Sequence, residues 1–117
     1  MKKYAFNWER HEHKIETEEI RLRNRVDALW MGDAEYLGAD AVREFNALTD
    51  AEKDRVTDYL TRLADRIAEV REEALGCVRI GRNGTAVAFV DGKTYGALKS
   101  IVSNYMARVP AHLAKYV

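Results

Sequence analysis

TDAEKDRVTDYLTRLADRIAEVREEALGCVRIGRNGTAVAFVD, residues 49–91, changes its hydrophobic period part-way along, and that change decides the fold class. Through Val56, Tyr59, Leu60, Leu63, Ile67, Val70 and Ala74 the apolar side chains recur at threes and fours, the stripe of a helix. Thr49-Asp50-Ala51-Glu52 opens that helix as a capping box: the Thr hydroxyl accepts from the N–H of Glu52, whose carboxylate reaches back to the N–H of Thr49. Gly76 stands where a left-handed residue ends a helix. Beyond it the period falls to two. Asn83-Gly84 is the strongest two-residue hairpin signal, because both residues tolerate the positive φ of a type I′ turn. Such a turn pairs Ile80 with Val87 and Val78 with Phe89, which puts every large apolar side chain of the hairpin on one face. The other face then holds Cys77, Arg79, Gly81, Ala86, Ala88 and Val90.

Upstream, Ile15, Leu22, Val26, Leu29 and Trp30 mark an earlier helix over 15–30 that ends near Gly32. Residues 32–38 read as a loop, and Asp40 caps a short helix through Val42, Phe45 and Leu48. Downstream, Asp91-Gly92 offers a second tight turn that returns Lys93-Thr94-Tyr95 as a short third strand. A final helix runs from about Ala97 through Leu98, Ile101, Val102, Tyr105 and Met106 and stops before Pro110. The predicted fold class is therefore α+β. It is a mostly helical single domain over 1–117: three N-terminal helices, a β-hairpin or three-stranded meander, and a C-terminal helix.

The 117 residues are 47% hydrophobic and 32% charged, the balance of a soluble globular protein. No apolar run approaches the roughly 18 residues of a membrane span, and the N-terminal stretch lacks a signal-peptide core. One cysteine allows no internal disulfide and fits a reducing, cytoplasmic setting. The charges cancel overall but are sorted by sign. Residues 31–76 carry twelve acids against six bases, and residues 77–117 carry six bases against one acid, Asp91. Such polarity points to an anionic partner, or to two halves that satisfy each other.

No constellation of residues identifies a reaction. His11 and His13 share a face only on a strand, and His112 is far away in sequence, so no metal or other cofactor is expected. Cys77 has no base at hand and reads as a small packed hydrophobe. Gly81-Arg82-Asn83-Gly84 lacks the Lys-Ser/Thr of a phosphate loop and leads into a strand. The chain is therefore expected not to be an enzyme; a small enzyme without a recognisable motif stands third among the readings. The leading expectation is a small interaction or regulatory module that contacts nucleic acid through Arg79, Arg82, Lys93, Lys99 and Arg108, with tyrosines between them for stacking. Its alternative is a protein–protein inhibitor or adaptor, of the kind phages and other mobile elements encode. That alternative works through Arg21, Arg25, Trp30, Tyr36, Glu69 and Glu72, with Trp8 as a further exposed aromatic and self-association as one form.

Over Asp91-Gly92-Lys93-Thr94-Tyr95-Gly96-Ala97-Leu98-Lys99-Ser100-Ile101 the chain resembles the strand-to-helix segment of RAMA-type domains. Gly92, Tyr95 and Leu98 match, whereas Gly96-Ala97 and Lys99 replace the serine positions of that pattern. The resemblance spans some twenty residues and implies a link to DNA restriction and modification.

Overall fold

Two long helices form the axis of the protein. In the computed structural model, which describes residues 2–103 and 105–117, α1 spans Trp8–Met31 and α4 spans Asp50–Leu75. At about 1.5 Å per residue each is close to 40 Å long, and the molecule measures 54 × 27 × 20 Å. The short helices α2 (Ala34–Leu37) and α3 (Ala39–Asn46) join them at one end. At the other end lie strands β1 (Tyr4–Phe6), β2 (Val78–Ile80) and β3 (Ala86–Val90). Helix α5 (Gly92–Ser103) packs back on α1 and α4. A final segment follows, with 3₁₀ turns at Tyr105–Arg108 and Ala114–Tyr116. Among the described residues the fold is α+β, five helices with a three-stranded antiparallel sheet.

The seam between α1 and α4 is written as a periodicity. Trp8, Ile15, Leu22 and Leu29 recur every seven residues on α1 and are all buried. They face Val56, Leu60, Ala64, Ile67, Val70 and Ala74 of α4, buried likewise. Both starts are capped. Asn7 accepts from the N–H of Arg10 at 3.1 Å, which starts α1 seven residues earlier than the apolar stripe suggests. The capping box at Thr49 forms as expected, with Glu52 N–H donating to the hydroxyl at 3.2 Å and Thr49 N–H donating to the carboxylate at 3.0 Å. Gly32 ends α1 in the left-handed region (φ 68°). Gly76, in contrast, is right-handed (φ −65°): the chain leaves α4 through a tight turn in which Cys77 N–H donates to the Ala74 carbonyl.

Four other expectations are corrected. Residues 34–37 form α2 within the segment read as loop, capped by Asp33, which accepts from Tyr36 N–H at 3.1 Å. Asp40 lies in the first turn of α3, paired with Arg43, and Gly38 occupies the cap position. The third strand is not Lys93–Tyr95. Asp91 accepts from Thr94 N–H at 2.7 Å and so starts α5 directly. The third strand comes instead from the N-terminal side, where β1 pairs with β3, Tyr4 opposite Val90 and Phe6 opposite Ala88, giving the order β1-β3-β2. Finally, the hairpin register is one residue from the expected one: Val78 faces Ala88, and Ile80 faces Ala86. Only Gly84 takes a positive φ (80°), so the loop is the three residues Arg82, Asn83 and Gly84 instead of a type I′ pair.

That one-residue slip exchanges the faces of β3. Ala88 and Val90 are buried, whereas Phe89 turns outward and stays 45% exposed. Small residues on the inner face let the sheet approach the ends of α1 and α4 closely. Thr49→Ala is expected to cost about 1 kcal/mol through loss of the cap. Ala88→Phe should cost about 1–3 kcal/mol by overpacking, whereas Phe89→Ser should cost about 1 kcal/mol or less. Urea midpoints measure all three, and a larger loss for Phe89→Ser than for Ala88→Phe would refute this register.

Candidate functional site

The basic residues of the last third do not converge. Arg82 lies exposed in the hairpin loop and Lys93 in the first turn of α5, with the five residues of β3 between them, about 17 Å of strand. Arg79 is exposed on β2, and one of its nitrogens donates to the neighbouring Val78 carbonyl at 2.9 Å. Arg108 follows α5 and lies beside Tyr59 and Arg66 of α4. Lys115 is the member of this basic set that forms an ion pair among the described residues, with Glu44 at 3.1 Å. Apart from that contact, the two charge-sorted halves of the chain do not neutralise each other through ion pairs among the described residues.

Lys93 and Lys99 acquire different neighbours. The β1–β3 pairing brings the N-terminal segment alongside the start of α5, and the rings of Tyr4 and Tyr95 stack with centroids 5.3 Å apart and planes at 26°. Lys2 places its ammonium 5.3 Å from the Tyr4 ring centre, and Lys99 lies 5.6 Å from that of Tyr95, both within cation–π range. Gly92 makes room for the pair, since a Cβ there would sit 3.3 Å from Cε2 of Tyr4. Asp91 lies at this spot, at the start of α5. Its hydrogen bond from Thr94 N–H, with Lys3 and Lys93 nearby, holds its carboxyl below the usual range. His11 packs against Phe6 with ring centres 5.1 Å apart; burial and the adjacent Arg10 and Lys14 lower its pKa. The result is a stacked pair of tyrosines with Lys2 and Lys99 over their rings and with Lys3 and Lys93 near the adjacent Asp91. Sequence reasoning missed Lys2, Lys3 and Tyr4, although Tyr4-Ala5-Phe6 alternates large and small as a strand does.

The residues expected to meet a protein partner are divided. Arg21 and Arg25 turn inward onto the final segment. Arg21 donates to the Val117 carbonyl at 2.7 Å, to the Tyr105 hydroxyl at 2.6 Å and to Glu18 at 3.1 Å. Arg25 donates to the carbonyls of Tyr116 at 2.5 Å and Lys115 at 3.2 Å. Both guanidiniums bind the chain's own backbone instead of forming an open surface. Trp8 is buried, at 2% exposure. Trp30 and Tyr36 remain about half exposed, Trp30 edge-on to Phe45, at the α2–α3 end. Glu69 and Glu72 are exposed near the opposite end of α4, with Glu69 3.7 Å from Arg66. Cys77 is half-buried against the core. Among the described residues no three His, Cys, Asp or Glu side chains group as a metal ion requires, and no helix is long and apolar enough to cross a membrane. No protein-family model, curated protein or solved structure matches this chain.

Tyr105 provides a titratable report on the Arg21 cluster. Burial, then its hydrogen bond to Glu18, raise its pKa from 10.0 to about 12, against the lowering effect of Arg21. The folded state thus holds this proton where an unfolded chain has lost it, so the stabilisation is complete below pH 10 and is lost as pH rises toward 12. Ultraviolet titration of tyrosinate should show a phase near pH 12 that Tyr105→Phe abolishes. A profile unchanged by that substitution would contradict this assignment.

Proposed function

We propose that this protein is a small non-enzymatic regulatory module that contacts nucleic acid through the lysine-flanked Tyr4–Tyr95 pair. The observation that carries the reading is the stacking of those two rings amid Lys2, Lys3, Lys93 and Lys99. Lysines neutralise phosphates, and an aromatic ring accepts an unpaired base once the ammonium over it moves to a phosphate. Each base stacked on an aromatic ring contributes about 1–3 kcal/mol and needs no particular sequence. Single-stranded nucleic acid is the class this combination suits best, because a duplex hides the faces of its bases. Arg79 on β2, Arg82 in the hairpin loop and Arg108 after α5, which sequence reasoning grouped with Lys93 and Lys99, are not assigned a part in the proposed contact.

The same surface gives the reading its test. Anisotropy of a fluorescent oligothymidylate should report binding that weakens with salt, at a slope of about −0.7 in log K per phosphate neutralised. Four lysines therefore give a slope of up to about −3. Joint charge reversal, Lys93→Glu with Lys99→Glu, should weaken binding by at least about tenfold, while Arg82→Glu should change it little. No binding at low salt, or equal loss with Arg82→Glu, would overturn the proposal.

The protein-partner alternative draws on a separate feature. Trp30 at 50%, Met31 at 79% and Tyr36 at 47% exposure gather large apolar surface at the α1–α2 junction, and exposed aromatics are the usual anchors of protein interfaces. An adaptor or inhibitor working here would lose its partner on Trp30→Ala and keep its affinity for oligothymidylate.

A further inference from the structure

The first half of α4 and the final segment enclose a groove of about 640 Å³, within the roughly 300–1,000 Å³ range of small-ligand pockets. Its floor is apolar, formed by Val56 and Tyr59 of α4 and by Leu113 and Tyr116 from the segment that crosses it. The charged side chains on its rim are not equivalent. Glu52 is committed to the capping box at Thr49, and Lys115 is committed to Glu44. What remains is Arg55 and Arg62, two turns of α4 apart, with Asp58 between them, and His112 of the final segment. Neither arginine forms an ion pair among the described residues, although Asp58 is three and four positions away along the helix. Two guanidiniums above an apolar trough complement a molecule with an anionic head and an apolar body, because an arginine fork binds a carboxylate through two parallel hydrogen bonds.

We propose that this groove binds an amphipathic carboxylate, its apolar body along Tyr59 and Leu113 and its head between Arg55 and Arg62. The groove lies along the first half of α4, whereas the Tyr4–Tyr95 pair lies beside the sheet at the end where α4 finishes, so this site is independent of the nucleic-acid reading. One of its walls is the segment that Arg21 and Arg25 hold by its backbone.

The test is a titration of the ¹⁵N-labelled full chain with octanoate, followed by amide shifts. Saturable shifts at Arg55, Tyr59, Arg62 and Leu113 are expected. In the double variant Arg55→Gln, Arg62→Gln affinity should fall by at least about tenfold, the loss of one charge-assisted hydrogen bond or more. Both arginines are exposed, so the variant should retain the wild-type circular dichroism and melting temperature. A separate titration with 1-octanol, which has the same apolar body and no charge, should give markedly weaker binding. Shifts that do not saturate or that centre on Trp30 and Met31, or equal affinity for octanol and octanoate, would each overturn the proposal.

Discussion

The antiparallel seam of α1 against α4 is the contact on which the remaining structure depends. Neither β1 nor β2 exceeds three residues, and a sheet that small has no stability of its own in water. It exists because α1 begins, and α4 ends, at the same end of the molecule. Trp8, Ile15, Leu22 and Leu29 fix that alignment, and their burial against Leu60, Ala64 and Ile67 supplies the apolar area. Removing one such leucine typically costs about 2–5 kcal/mol, a large fraction of the stability of a domain this size. Every other element attaches to the seam or to its ends.

One consequence is where the charged groups finish. The chain sorts its acids and bases by sign, but folding does not turn that polarity into two opposed faces. Lys115 meets Glu44, whereas Arg82, Lys93 and Arg108 go to three separate places. Lys93 and Lys99 gain company only because β1 returns beside β3 and carries Lys2 and Lys3 with it. The candidate interface therefore belongs to a pairing between strands about eighty residues apart in the sequence. Arg21 and Arg25 show the converse: on the helix they look like a basic patch, yet the final segment arrives and takes their donors.

Features that depend on near neighbours were legible. The capping box at Thr49, the stripe of α4 and the change of period after Gly76 all follow from side chains within a turn of one another. The two errors in the sheet have one cause in common. Asp91-Gly92 carries the signals of a tight turn and of a helix start alike, and the short range cannot choose between them. The hairpin loop fails in the same way, since Asn83-Gly84 suits a two-residue turn and a three-residue loop with Gly84 left-handed. In both cases the helices beneath the sheet decide, by accepting Ala88 and Val90 inward and leaving Phe89 outside.

The sequence by itself determined α4 with its capped start at Thr49, the stripes of α1 and α3 in outline, the α+β class and the separation of charge along the chain. These are local properties, set by backbone hydrogen bonding and by the period of apolar side chains. Only the tertiary structure decided the strand register, the third strand, the inward turn of Arg21 and Arg25, and the meeting of Tyr4 with Tyr95. The physical reason is separation: Tyr4 and Tyr95 are about ninety residues apart in the chain, and no local propensity carries information about a contact that the packing of α1 on α4 creates.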